Sequence, residues 1–227
     1  MYALRKDGFD KAITLVLKNA PEGFTLSGGE IPPNEEKVRL TLTAPPTSLD
    51  EPLTLQLEGQ AVVAGRMVTR PGVPADEMMQ AFAYQHLVPA KELKLSVSDR
   101  PVARSAATIL DAVPVQIPVG GTARVRIATP SRAYVDRFNF ELDEPPEGIA
   151  LNGASPTDDG MELELRCEAG KAKPGLRGNL IVDLVPAANS GAAQPGKRPA
   201  NQRRAPVGTL PAIPFVIVGQ QVAGNSL

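Results

Sequence analysis

The chain has 227 residues with 24 Lys plus Arg against 25 Asp plus Glu, a formal net charge of −1, so no global field draws it to nucleic acid or to an anionic membrane. Aromatic residues make up 4% and Trp is absent, which leaves little material for the stacking platforms of many sugar and single-strand binders. The single cysteine, Cys167, rules out an intrachain disulfide and leaves the redox compartment unmarked, and no apolar run of about 18 residues offers a transmembrane helix.

The start, Met1-Tyr2-Ala3-Leu4-Arg5-Lys6, lacks the apolar core of a secretory signal, so export would be directed by residues outside this sequence. Alternation with period two then marks strands, because successive side chains point to opposite faces and only one face meets a core. Ile13, Leu15 and Leu17 alternate, as do Val38, Leu40 and Leu42, and then Leu53, Leu55 and Leu57. Pro32-Pro33 and Pro45-Pro46 lie between these runs and mark turns, since proline cannot continue a ladder. Over 75–87, Asp76-Glu77-Met78-Met79 before Phe82 and Tyr84 predicts a helical turn after an Asp cap, followed by an extended stretch. Leu93, Leu95 and Val97 form a closing strand after Pro89-Ala90.

A connection over 99–112 with an Arg100-Pro101 start reads as a linker. After it, Val115, Ile117, Val119, Val125 and Ile127 alternate around Gly120-Gly121, and the strand pattern resumes in Phe138, Phe140 and Leu142, in Leu163, Leu165 and Cys167, and in Leu180, Val182 and Leu184. The stretch 187–208 is rich in Pro, Ala, Gly and Asn and carries Lys197, Arg198, Arg203 and Arg204 without an acid, which predicts a mobile basic loop. Pro211-Ala212 precedes a last strand through Phe215 and Ile217.

The two halves are related. Pro21-Glu22-Gly23-Phe24-Thr25-Leu26-Ser27-Gly28 returns, 125 positions on, as Pro146-Glu147-Gly148-Ile149-Ala150-Leu151-Asn152-Gly153. Over the 28 positions 17 to 44 the offset runs without a gap, and eight pairs are identical, where unrelated segments would share about two. This predicts two all-β domains in tandem, 1–98 and 113–227. By the same offset the opening strands of the second copy fall before or across Met1, so the first domain is expected to lack an opening strand. Its exposed sheet edge would then invite pairing with another chain.

An apolar strand, then Pro21-Glu22-Gly23-Phe24, then Val38-Arg39-Leu40-Thr41-Leu42-Thr43-Ala44-Pro45-Pro46 resembles the alpha-galactosidase-associated (NPCBM-associated) immunoglobulin-like family, over about 9–60 and 134–185. Arg5 to Phe9 leading into Ile13 is similar to the immunoglobulin-like repeats beside pre-peptidase-type domains in large exported bacterial proteins. The resemblance implies two tandem immunoglobulin-like β-sandwich domains and an accessory, extracellular or periplasmic, non-catalytic module. It carries over no catalytic or binding residue, because the matching positions are core or turn positions.

Each candidate residue has a chemical reading and a plainer one. His86 is the only histidine, so a Ser-His-Asp or Cys-His arrangement must use it or do without; an ordinary strand or loop histidine explains it as well. Cys167 could be a nucleophile, yet the repeat equates it with Leu42 and so with a core position. With one Cys and one His, a zinc site has few ligands to draw on. Asp158-Asp159-Gly160, Asp143-Glu144 and Glu35-Glu36 offer calcium oxygens, but polar turn chemistry accounts for them. Lys197-Arg198 and Arg203-Arg204 could touch phosphate; a solvated loop is simpler. Met78, Met79, Phe82 and Tyr84 could form an interface, or pack under the sandwich end or against the second domain.

No catalytic, cofactor or metal residues are therefore assigned. The expected function is an interaction or spacer module of a larger exported bacterial protein, whose partners are other domains of that protein or a protein or glycan ligand. The alternative is an accessory carbohydrate-binding domain beside a hydrolase, using Tyr84 or Tyr134; an enzyme in its own right is the least supported reading.

Overall fold

The computed structural model describes residues 1–45, 49, 51–80, 84–97, 107–129, 133–187 and 205–219, with 80, 84–85 and 133–134 described by backbone alone. The chain is all-β, with a single short helix among the described residues. It divides into two compact units, Met1–Val38 with Leu42–Arg100, and Arg39–Thr41 with Pro101–Leu227.

The first unit contains β1 (Ile13–Lys18), β2 (Thr25–Ser27), β3 (Glu30–Ile31), β4 (Thr41–Thr43, begun by the second unit's Thr41), β5 (Leu53–Val63), β6 (Arg66–Pro71), β7 (Ala75–Gln80), β8 (Tyr84–Pro89) and β9 (Leu93–Leu95). Its main sheet runs β3-β1-β5-β6, with β9 also on β5; β2 pairs with β4 and β7 with β8. Leu15, Phe24, Ile31, Val38 and Leu55 are buried. The alternation of Leu15 and Leu55 with exposed Thr14 and Thr54 is what one solvated and one packed sheet face require. Between β5 and β6 the chain reverses through Ala64 (φ 49°) and Gly65 (φ 77°). Two successive positive φ values are those of a primed hairpin turn, whose twist matches that of the flanking strands.

The second unit contains β10 (Thr108–Ile109), β11 (Val115–Pro118), β12 (Thr122–Ala128), α1 (Ala133–Arg137), β13 (Phe138–Asp143), β14 (Ile149–Pro156), β15 (Gly160–Cys167), β16 (Arg177–Pro186), β17 (Gly208–Thr209) and β18 (Ile213–Val218). One sheet runs β10-β12-β15-β14 and the other β11-β18-β16-β13, with β17 on β16. Between them lies one core, to which the first sheet gives Val125, Ile127, Leu163 and Leu165 and the second Ile117, Leu180, Val182 and Phe215. That is the layering of a β-sandwich. β11 and β12 follow one another but lie in different sheets, β11 parallel to β18 and β12 antiparallel to β15. The Gly120 turn (φ 71°) is thus a crossing from one layer to the other.

Pairing registers in the two units coincide. β1 sets Leu17 opposite Leu57 of β5, and β13 sets Leu142 opposite Val182 of β16. The offset of 125 positions carries both members of the first pair onto the second. A slip of one residue would have sent each side chain to the other face.

Several expectations need correction. Residues 76–79 form no helical turn: Ala75–Gln80 is a strand paired with Tyr84–Pro89, Met78 opposite His86. An isolated turn gains few hydrogen bonds for the backbone freedom it loses, whereas the adjacent partner strand satisfies the ladder. Of the 99–112 connection, Thr108–Ile109 pair with β12 and Ala107 belongs to the second unit's core. Of the basic 187–208 stretch, residues 188–204 lie outside the described residues; at its start the Ala187 amide donates to the Arg137 carbonyl at 3.0 Å, and at its end Gly208 pairs with Leu184. The place expected to be vacant in the first unit is partly taken, since Tyr2 bridges antiparallel to Lys37, with the Ala3 amide donating to the Glu36 carbonyl at 2.7 Å and that of Val38 to the Met1 carbonyl at 3.0 Å.

Candidate functional site

His86 belongs to the first unit and Cys167 to the second. His86 is exposed in the middle of β8. Cys167 closes β15 at 0% exposure inside the second core, its Sγ 3.8 Å from the Glu168 carbonyl. A thiol so enclosed lacks the access that a nucleophile needs. Core membership at this position follows the repeat, which sets Cys167 where the first unit has Leu42.

The acidic candidates serve turns and ion pairs. The carbonyl of Glu35 accepts from Arg5 Nε at 2.9 Å. Arg39, counted with the second unit, donates to the Asp143 carbonyl at 2.7 Å and to its carboxylate, with Glu144 3.7 Å away. Asp158 and Asp159 lie in the turn that the Thr157 amide closes on the Gly160 carbonyl at 3.0 Å. Gly160 has φ 152°, and a Cβ there would collide with the Ile127 carbonyl oxygen and stand 2.6 Å from the Thr129 nitrogen. Backbone approach, rather than ligand binding, explains an Asp-Asp-Gly at this place. Among the described residues no three His, Cys, Asp or Glu side chains converge on a point that could hold a metal, and no polar or charged side chain is buried.

Met78 and Met79 do not pack under a sandwich end: they are 52% and 70% exposed. Because β7 and β8 form a two-stranded ribbon, Met78 shares a face with Val88 while Met79 shares the other with Leu87, so neither face can hide both. Phe82 and the side chains of Tyr84 and Tyr134 lie outside the described residues, as do Lys197, Arg198, Arg203 and Arg204.

Two polar arrangements escape the sequence pattern. Arg5 spreads its guanidinium over three carbonyls, Nε to Glu35, Nη1 to Lys11 at 2.6 Å and Nη2 to Pro32 at 2.8 Å, with its Cζ 5.6 Å from the centre of the Phe9 ring. This fork ties two turns together, a task for planar, multiply donating Arg. Asp111 accepts from Arg126 three times: the main-chain amide at 2.6 Å, Nε at 2.9 Å and Nη2 at 2.7 Å. The guanidinium hydrogen bonds, and then the amide, hold the Asp111 carboxyl below its ordinary value, and the same partnership raises Arg126. Next to it on the outer face, Arg124 lies 3.5 Å from both Glu162 and Glu164. These are surface lattices of paired charge.

Comparison with known proteins adds no neighbour: no family model, curated protein or solved structure matches the chain.

Proposed function

We propose that this chain is a non-catalytic interaction or spacer module, two copies of an immunoglobulin-like sandwich in tandem, belonging to a larger exported bacterial protein. The observation that carries the reading is the shared register. An offset found in sequence identities also relates β1/β5 pairing to β13/β16 pairing, a coincidence that common descent of the two units explains and chance does not. Supporting it, the retained positions are turns and core: Pro21-Glu22-Gly23 and Pro146-Glu147-Gly148 reverse the chain with positive φ at Gly23 (90°) and Gly148 (82°). Selection on such positions preserves a scaffold. The export and the bacterial setting rest on the family resemblance of those same segments.

A module of this kind works through its surfaces, holding neighbouring domains apart or presenting loops and sheet edges to a ligand. Its lone histidine and lone cysteine then have no chemical duty. The test is a panel of glycoside, ester and peptide substrates offered to the purified chain at micromolar concentration. No turnover above the buffer rate is expected. Saturable turnover that His86→Ala or Cys167→Ala removes, with the circular dichroism unchanged, would sink the reading.

A further inference from the structure

The two units differ at one edge, and the second shows what fits there. In the first unit Leu93 lies opposite Leu55 and Leu95 opposite Leu53; in the second Ile213 lies opposite Leu180 and Phe215 opposite Gly178. Leu93, Leu95 and Val97 therefore take the places of Ile213, Phe215 and Ile217. The second set is sealed, at 0%, 2% and 1% exposure, whereas Leu93 is 40% exposed and Leu95 and Val97 are only half-buried. What closes the second edge is β11, running parallel to β18 with Val115 beside Phe215 and Ile117 beside Ile217, both of them buried. Among the described residues β9 has β5 as its only strand partner.

We propose that the edge of residues 93–97 turned away from β5, which no described strand covers, is a β-augmentation site, which takes an extended segment of a separate polypeptide, parallel to β9, with β-branched apolar residues at alternate positions. The inference rests on reading the units as copies of one sandwich. Main-chain bonds along an unpaired edge supply attachment, and alternate side chains entering the half-open core supply selection. The chemistry is that of Val115-Gln116-Ile117-Pro118, where the first and third residues carry the apolar alternation and the proline ends it. A second copy is the poorer occupant. Two β9 edges related by a twofold axis must run antiparallel, opposite in sense to β11 on β18, and a pairing centred on β9 would set Lys94 of one copy against Lys94 of the other.

The experiment uses the whole chain and a labelled synthetic peptide with the sequence of residues 113–119 (Val-Pro-Val-Gln-Ile-Pro-Val), followed by fluorescence anisotropy, with a scrambled peptide of the same composition as control. Saturable binding of the first peptide alone is expected, weakened at least about tenfold by Val97→Asp, which places a charge on an apolar seat. Val97→Thr, which keeps the shape and is milder to folding, is expected to weaken it about threefold. Equal binding of the scrambled peptide, or binding unchanged in both variants, overturns the proposal. So does sedimentation showing that the chain alone dimerises and that Val97→Asp abolishes the dimer, since the edge would then belong to a second copy. Failure of binding leaves the substrate panel blank, while turnover in that panel leaves peptide binding untouched, so the two readings fail separately.

Discussion

At the scale of single residues, side chains that alternate were readable and those that pair across strands were not. The sequence assigns Cys167 to the core because the repeat supplies an apolar equivalent, Leu42. Asp111 and Arg126 stand 15 positions apart in segments that read as linker and strand, and only the Thr108–Ile109 pairing with β12 brings them together. Their bond has a pH signature. Asp111 is held below its ordinary carboxylate value of about 3.9, so the folded state binds this proton less readily than the unfolded chain does. The contribution is therefore complete above the unfolded value and fades as pH falls through the lower, folded value. Asp111→Asn should lower urea stability slightly at pH 7, as expected for an exposed pair, with the deficit from wild type closing as pH falls below the ordinary carboxylate value. Paired urea melts from pH 7 downward measure this; a deficit that grows with acid contradicts the assigned pairing.

At the scale of elements, period-two alternation located β1, β5, β13, β15 and β16, whose inner residues are long aliphatics. It passed over β6, since Arg66-Met67-Val68-Thr69-Arg70 has no clean alternation and is largely exposed on both faces. The signal for it was the turn, not the strand. Ala64-Gly65 holds the two left-handed positions of a primed hairpin, and Ala is unsuited to the first, where its Cβ crowds the following carbonyl. Replacing Ala64 with Asn gives the pair such turns favour, and Cβ at Gly65 would be the wrong place to intervene because φ is 77° there. Ala64→Asn should stabilise the chain by about 0.5–1 kcal/mol, read as a higher urea midpoint at unchanged slope. A lower midpoint would mean that β5 and β6 meet through another turn. The β7–β8 ribbon was misread for a related reason. Acidic residues after Pro74 imitate a helix start, and nothing local reveals that Tyr84–Pro89 returns alongside.

At the scale of the molecule, residues that the 125-position offset equates in sequence differ in packing. Equivalent residues have unequal surroundings: Leu55 is 7% exposed and its counterpart Leu180 1%, while Leu57 is half-buried and Val182 has 0% exposure. Among the described residues five apolar side chains, Leu15, Phe24, Ile31, Val38 and Leu55, are buried in the first unit, against nineteen in the second unit's core. No alignment of the halves shows this, because Leu93 reads as core just as Ile213 does; the difference is made by β11 and β12, which lie outside the repeated segment. Opening free energy follows the apolar surface returned to water, so the equivalent ladders should not be equally durable. Under native hydrogen exchange, amides of β13 and β16 are expected to exchange at least about a hundredfold more slowly than those of β1 and β5, a difference of roughly 2.7 kcal/mol. Mass spectrometry of peptides covering Ile13–Lys18 and Phe138–Asp143 makes the comparison directly, since their registers are the same. Equal protection would show that exposure at β9 costs the first unit nothing, and would remove the energetic reason for any strand to add there. If the slow ladder is confined to the second unit, the peptide of residues 113–119 should also slow β5 exchange, because closing the β9 edge reduces the surface that each opening exposes.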